Sequence, residues 1–370
     1  MKFYATCKLG LESLVTRQLR DLNIDVLETQ DARVSFEGGE AEMARALLWL
    51  RTAERVLMVV GEFDAETFDA LFERTKALDW KPFLRPDTDI HVTGKSAKST
   101  LFSVSDCQSI VKKAIVESLK AAYRRNTIPE GGDEIIVEVG ILRNRVSLCL
   151  DCCGAGLSRR GYRTFNVAAP LSETLGAAIV LLSRYKPDMP LIDPMCGSGT
   201  MPIEAMMIAQ NIAPGLKRSF LAENWWFFNH KAFADERKDA ADARLGRTAD
   251  VSGFDIDARS IDLCKKHAKK AGVFCNWQVR DIRDFSAEAQ SGVIVCNPPY
   301  GERLSSKDDV KALYRQMRRV FSQYPGWNVS VFSGMREFER VYGLHADRRR
   351  KLTNGGMPCT LYQYFGVRNI

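Results

Sequence analysis

"PLIDPMCGSGT", residues 190–200, decides the fold. Pro190 to Asp193 reads as a short buried strand, Cys196-Gly197-Ser198-Gly199-Thr200 as a glycine-rich turn, and 201–210 as an apolar helix. Glycines at such a turn let backbone N–H groups approach a ligand closely. The spacing departs from the dinucleotide G-x-G-x-x-G, because Thr200-Met201-Pro202 brings no third glycine. An acidic residue, Asp193, stands just before the glycines and favours a cationic or hydroxyl-bearing ligand over a pyrophosphate. Taken alone, a G-x-G is only a tight strand-to-helix turn, so its surroundings decide what it means.

Those surroundings repeat the rhythm. Upstream, Pro170 opens a helix-like segment with apolar residues at Leu171, Leu175, Ile179 and Leu182. Downstream, 251–255, 277–279, 292–296 and 329–332 are strand candidates. Between the first two, Ile261, Cys264, His267 and Ala268 recur at helical spacing, with Lys265, Lys266, Lys269 and Lys270 on the other face. Strands alternating with helices imply an α/β, Rossmann-like parallel sheet covered on both faces. Ligands of such sheets bind outside the carboxyl ends of the strands. Asp193, Asp255, Asp281 and Asn297 all fall at expected strand ends.

Each has an ordinary structural role and a chemical one. Asp255 in "GFDID" can accept from both hydroxyls of a ribose, or Asp255 or Asp257 can cap the next helix. Asp281 in "VRDI" can accept from an adenine amine, or cap a turn. "VIVCNPPYGERL", 293–304, ends a buried strand on Asn297, Pro298, Pro299 and Tyr300. Prolines cannot donate to a sheet ladder and stiffen what precedes them. The Asn297 side-chain oxygen and the Pro298 carbonyl can then converge on one NH2 group, with Tyr300 as a ring for a planar base to stack on. A rigid turn is the alternative, and this motif after an apolar strand is too uncommon for that to be its whole meaning.

The N-terminal half is less regular. Strands are expected at 3–7, 33–36, 90–93, 135–139 and 146–150, with helices over 11–22 and 40–50. Ser105-Asp106-Cys107-Gln108 reads as a capping box that opens a helix with Ile110, Ala114, Ile115 and Leu119 inward. Arg143-Asn144-Arg145 reads as a hairpin tip, and the Gly-, Ser- and Arg-rich stretch 152–165 as a connector.

At 370 residues the chain exceeds one typical domain. Apolar residues at 45% and charged residues at 27% are ordinary for a globular protein, and no apolar run approaches membrane-spanning length. Lys8 and Glu12 interrupt the opening residues, so no signal peptide is expected and the expected location is cytoplasmic, away from membranes. Of the ten cysteines, Cys149, Cys196 and Cys296 lie in or beside apolar strands, as small hydrophobes do. Cys149 and Cys152 form a C-x-x-C with no second pair at zinc spacing, so no metal is expected. The four histidines read as structural or exposed, and Trp225-Trp226-Phe227-Phe228 as core packing. The net charge is +7. Residues 1–90 carry 12 basic against 17 acidic side chains, 91–165 carry 12 against 7, and 166–370 carry 29 against 22. A basic surplus that begins near residue 91 suits a polyanionic partner or simply a solvated surface.

"DPMCGSGT", "GFDID", "VRDI" and "NPPYGERL", in this order, resemble a class I S-adenosylmethionine-dependent methyltransferase. With "SRRGYR" at 158–163 and "AAPLSETLGAAIVLL" at 168–182, the chain resembles the bacterial 23S ribosomal RNA guanine-N2 methyltransferases that carry a THUMP domain. The resemblance implies a ferredoxin-like region at 1–44, a THUMP RNA-binding domain at 45–155, a linker at 156–166 and a methyltransferase domain at 167–370. Some members fuse a second methyltransferase domain; no second set of motifs follows here, and no second modification is carried over. The implied cofactor is S-adenosyl-L-methionine. Cys196, Gly197, Gly199 and Thr200 would meet its methionine end with Asp193 near the ammonium. Asp255 and Ile256 would hold the ribose side, Asp281 and Ile282 the adenine. Asn297, Pro298, Pro299 and Tyr300 would present the target amine. The implied partner is RNA, as large-subunit ribosomal RNA or its assembly intermediate. Candidate contacts are Lys95, Lys98, Lys112, Lys113, Arg124, Arg125, Arg159, Arg160 and Arg163, about half of them expected to reach phosphate, with Arg348 to Lys351 as a further cluster. Transfer RNA guanine, DNA adenine or a protein glutamine amide are the alternative targets. A non-catalytic RNA-binding assembly factor is the alternative of another class. Oligomeric state is not legible.

Overall fold

Two seven-stranded sheets divide the chain. The computed structural model describes residues 1–129, 131–163, 171–299 and 307–366. Pro170 and Tyr300, with the rest of "GERL", lie outside the described residues.

The first half runs β1 (Lys2–Cys7), α1 (Glu12–Asp21), β2 (Asp25–Gln30), β3 (Arg33–Glu37), α2 (Glu40–Trp49), β4 (Ala53–Asp64), α3 (Phe68–Lys76), β5 (Asp89–Ala97), α4 (Val104–Tyr123), β6 (Glu134–Leu142) and β7 (Arg145–Asp151). Its strand order is β2-β3-β1-β4-β7-β6-β5, parallel only between β5 and β6. The long strand β4 pairs with β1 on one side and β7 on the other, so the ferredoxin-like and THUMP-like portions share one sheet. The boundary expected at 44/45 therefore falls inside α2. The hairpin tip is as expected: Arg143 and Asn144 both have positive φ, 53° and 64°, the two-residue turn that matches strand twist. The capping box at Ser105 is displaced. Ser103 holds the N-cap position of α4, without a side-chain cap bond, while Ala114, Ile115 and Leu119 face inward as read.

The second half runs α5 (Glu173–Leu182), β8 (Leu191–Asp193), α6 (Thr200–Ala209), α7 (His230–Asp242), β9 (Val251–Asp255), α8 (Ala258–Ala271), β10 (Asn276–Val279), β11 (Gly292–Cys296), α9 (Lys307–Phe321), β12 (Trp327–Ser333), α10 (Phe338–Tyr342), β13 (Arg348–Asn354) and β14 (Met357–Tyr364). The order is β10-β9-β8-β11-β12-β14-β13. The first five strands are parallel, and β14 and β13 extend the sheet antiparallel, two strands the rhythm had not announced. β11 is buried along its whole length, as a central parallel strand requires. α5 and α6 are apolar nearly all round and buried nearly all round, so they are core rather than surface helices. α8 buries Ile261, Cys264, His267 and Ala268 and turns its lysines to solvent.

Over its described residues, 156–163, the expected linker is partly buried, with Arg159 and Gly161 exposed. Leu157, Arg160 and Tyr162 are buried. Arg160 Nε lies 3.2 Å from Glu204 Oε1, the Tyr162 hydroxyl donates to the same oxygen at 2.9 Å, and Arg160 Nη2 donates to the Arg51 carbonyl at 2.6 Å. Arg51 Nη2 in turn donates to the Ile212 carbonyl at 2.8 Å. This buried ionic knot ties the first half to α6. Trp225 and Phe228 are buried, Phe227 meets Phe83 edge-on at 5.5 Å, and Arg85 covers the Trp226 ring at 4.6 Å. The aromatic run is thus packing between the two halves.

Candidate active site

Because β10, β9, β8 and β11 are adjacent, their carboxyl ends form one edge that carries Asp281, Asp255, Asp193 and Asn297 in that order. The sequence motifs therefore converge as expected, on the edge where parallel sheets bind ligands.

Asp193 is 1% exposed. Its Oδ1 accepts the Met195 N–H at 3.2 Å, while Oδ2 is buried with no partner among the described residues. Burial pushes its carboxyl well above the usual range, and Asp255 adds to the shift. One strand over, Asn297 Oδ1 is also buried with no partner among the described residues. Buried polar atoms are nearly always paired, so two acceptors on neighbouring strand ends without a partner among the described residues are free to take donors. The donors that fit are an ammonium at Asp193 and an N–H group at Asn297.

The glycine turn between them is locked by its surroundings. Cys196 N–H donates to the Phe254 carbonyl at 2.8 Å and Gly197 N–H to Asp255 Oδ2 at 2.9 Å. His267 Nδ1 lies 3.1 Å from the Ser198 carbonyl, and Arg163 Nη2 donates to Thr200 Oγ1 at 2.5 Å. Gly199 has φ +82°, and a Cβ there would lie 2.8 Å from the Trp277 ring and 3.0 Å from Cys264 Sγ. Gly197 has φ +52°, and a Cβ there would meet nothing within 4 Å. Gly199 is thus required by the fold, and Gly197 leaves an open cradle toward the ligand edge.

Asp255 divides its work with Asp257. Asp257 caps α8 through Arg259 N–H at 3.1 Å. Asp255 Oδ1 accepts Asp257 N–H at 3.0 Å, and each of its oxygens keeps a further lone-pair site for a hydroxyl. Beside it Ile256 is 70% exposed, a large apolar side chain on the ligand edge. Asp281 caps the short turn Ile282–Asp284 through Arg283 N–H at 2.8 Å and pairs with the Arg283 guanidinium at 2.7 Å, which holds its carboxyl below the usual range. Its capping role is therefore present in the fold, and Ile282 is buried behind it.

Two basic candidates need correction. Arg160 is 2% exposed and committed to Glu204 and Arg51, so it cannot reach a phosphate. Arg163 is half-buried, bonded to Thr200 and the Leu171 carbonyl and 3.6 Å from Glu173, so it braces the glycine turn. Lys98, Lys113, Arg124, Arg125 and Arg159 are exposed, and Lys112 is half-buried. Lys95 is exposed and pairs with Glu138 at 3.1 Å. In the C-terminal cluster Arg349 pairs with Glu339 at 2.8 Å and Arg350 donates to the Gly10 carbonyl at 2.5 Å. His267 and Trp277 were not read as site residues. Their only signal was position: His267 on the inward face of α8, Trp277 on the strand beside Gly253, where a Cβ would lie 2.3 Å from its ring. All ten cysteines are buried free thiols, Cys149, Cys152 and Cys153 at the end of β7.

Three family models match. Residues 160–363 match an RMKL-like methyltransferase domain, 2–57 an RlmL ferredoxin-like domain and 65–151 a THUMP domain. The chain is 41% identical to YpsC of Bacillus subtilis, provisionally named as an RNA methyltransferase, over 98% of this chain and 95% of that one. It is 33% identical to the ribosomal RNA large subunit methyltransferase K/L of Syntrophotalea carbinolica over 98% of this chain, spanning 53% of that longer protein. A crystal structure from Listeria monocytogenes, described as that of a predicted N6-adenine-specific DNA methylase, is 46% identical with a TM-score of 0.92, covering 99% of this chain and 96% of that one. The crystal structure of SMU.472, provisionally named a methyltransferase and complexed with SAH, is 38% identical with a TM-score of 0.93, covering 100% and 99%.

Proposed function

The chain belongs to the RMKL-like methyltransferase family, and from that premise we propose that it methylates the exocyclic N2 of a guanine in large-subunit ribosomal RNA. The observation that carries the proposal is the pair of buried acceptors, Asp193 Oδ2 and Asn297 Oδ1, on adjacent strand ends and without a partner among the described residues. S-adenosylmethionine, when bound, supplies a methyl group already activated on a sulfonium. The residues present fit it: an acceptor for an ammonium at Asp193, an open cradle at Gly197, a carboxylate at Asp255 and an exposed apolar side chain at Ile256. Asp281 and Ile282 would hold its adenine side, with Cys196, Gly199 and Thr200 completing the turn.

The chain's own task is alignment. Guanine's exocyclic amine is a poor nucleophile because its lone pair is delocalised into the ring. Asn297 Oδ1 and the Pro298 carbonyl accept its two hydrogens, which favours a more tetrahedral nitrogen and fixes the direction of its lone pair. Correct orientation of this kind replaces a strong base. The base must leave its stack to reach the edge, at a cost of a few kcal/mol. Stacking on Tyr300, a residue outside the described ones, would offset about 1–3 kcal/mol of that.

RNA as the substrate is supported by the THUMP match and by the exposed cations Lys95, Lys98, Lys113 and Arg159. A DNA adenine amine would suit the same acceptors, so the nucleic acid must be read from product. The test is transfer of tritiated methyl from S-adenosylmethionine to total RNA of a strain lacking the gene, with calorimetry for cofactor binding. Label in large-subunit ribosomal RNA as N2-methylguanosine is the expected result. Label only in transfer RNA, or only in genomic DNA of the same strain assayed in parallel, overturns the substrate, and absence of cofactor binding overturns the enzyme.

A further inference from the structure

An Asn-Pro-Pro strand end cannot hold itself in place. Pro298 and Pro299 have no N–H, so two of the three residues that must keep the acceptors still offer the fold nothing but carbonyls. The tie has to come from another element. Tyr314, on α9, donates its hydroxyl to the Pro299 carbonyl at 3.2 Å. The same hydroxyl lies 3.0 Å from Ser333 Oγ, at the end of β12, and Ser333 Oγ accepts the Met335 N–H at 3.1 Å. Tyr314 is 0% and Ser333 1% exposed, so water does not compete for either.

Among the described partners, the direction of this chain of bonds follows from the groups present. A tyrosine hydroxyl has one hydrogen, and a carbonyl can only accept. The Tyr314 hydrogen therefore goes to Pro299, the Ser333 hydrogen goes to Tyr314, and Ser333 accepts from Met335. Three successive bonds fix both hydroxyl rotors and strengthen one another in a buried setting. The ring of Tyr314 is held edge-on to Phe338 at 5.1 Å. The sheet brings the two ends together: β11 and β12 are parallel with Cys296 opposite Val331, which sets the proline pair beside Ser333.

We propose that Tyr314, set by Ser333, is the positioning residue of the methyl-transfer site: it clamps the proline pair so that the Asn297 and Pro298 acceptors stay on the target amine. This rests on the proposed function above, which assigns those acceptors. Tyr314 touches neither base nor cofactor, so its loss should appear in kcat and leave cofactor binding alone.

Tyr314→Phe keeps the ring and removes the hydroxyl. With tritiated-methyl transfer to RNA from the deletion strain as the assay, kcat falls about 10- to 100-fold, the size of effect that slight misplacement produces. Calorimetric affinity for S-adenosylhomocysteine stays within about twofold. Ser333→Ala lowers kcat in the same direction, and the double variant falls no further than Tyr314→Phe, because Ser333 acts through Tyr314. A merely structural pair would instead give losses that multiply and weakened cofactor binding, which overturns the proposal. With Asn297→Ala inactive, wild-type kcat in Tyr314→Phe overturns the clamp alone. Full activity in Asn297→Ala overturns the proposed function on which it rests.

Discussion

Two glycines in one turn should fail in opposite ways. Gly197→Ala and Gly199→Ala both put a side chain at positive φ, φ +52° and +82°. That alone costs about 1–2 kcal/mol per residue. At Gly197 the new methyl meets nothing within 4 Å, so no further loss of stability is due. At Gly199 it lies 2.8 Å from Trp277 and 3.0 Å from Cys264 Sγ, both held in packed surroundings. Overpacking of that kind adds about 1–3 kcal/mol, for a total of about 2–5 kcal/mol. Gly197→Ala should therefore lose only that backbone cost in urea unfolding, and Gly199→Ala about 1–3 kcal/mol more. Cofactor binding reverses the order of interest. On the proposed function the open space at Gly197 receives the cofactor, so its methyl should weaken S-adenosylhomocysteine at least about tenfold, or about 1.4 kcal/mol, in a protein that remains folded. Wild-type affinity in folded Gly197→Ala, or greater destabilisation of Gly197→Ala than of Gly199→Ala, refutes the assignment of the turn.

Other outcomes follow from the same geometry. Glu204→Gln leaves Arg160 buried without a charge partner and should cost about 3–5 kcal/mol in chemical denaturation. His267 is buried, and burial lowers its imidazole below the ordinary value of 6.5. The unfolded chain then binds the proton more readily, so stability is full above pH 6.5 and is lost as pH falls from there toward the depressed value. His267→Asn, which keeps a donor for the Ser198 carbonyl, should show a flatter stability profile between pH 7 and 5. Lys98→Ala and Arg159→Ala should each weaken RNA binding and reduce the slope of log affinity against log salt by about 0.7, the value for one single-strand phosphate contact. Arg160→Ala should instead lower the unfolding midpoint.

The second half was legible in outline because its signals are local and repeated. Short apolar strands, helical spacing at Ile261, Cys264 and His267, and polar residues at strand ends all survive into the fold. The two antiparallel strands escaped because β13 has a mostly exposed or half-buried pattern, with a single buried residue, Leu352. In the first half β2 is an edge strand with no buried residue, so its sequence carries no alternation to read. β4 is bulged between Val59 and Gly61, which breaks the period of two where it would have been most visible. Burial of Arg160 is a tertiary fact: "SRRGYR" presents two adjacent arginines, and only the position of Glu204 on α6 decides that the second is inside. Convergence of the four strand ends was readable. What fills their open valences was not, since it takes the folded chain to leave Asp193 Oδ2 and Asn297 Oδ1 buried without a partner among the described residues.

The measurement closest to the centre of this account is the chemical identity of the methylated atom. The purified protein is incubated with isotopically labelled S-adenosylmethionine and large-subunit ribosomal RNA from a strain lacking the gene, and the nucleosides are resolved by mass spectrometry beside an Asn297→Ala control. Label on an exocyclic amine, as N2-methylguanosine, and none in the control is the predicted result. Label on a ribose hydroxyl or a base carbon, or unchanged label with Asn297→Ala, contradicts it.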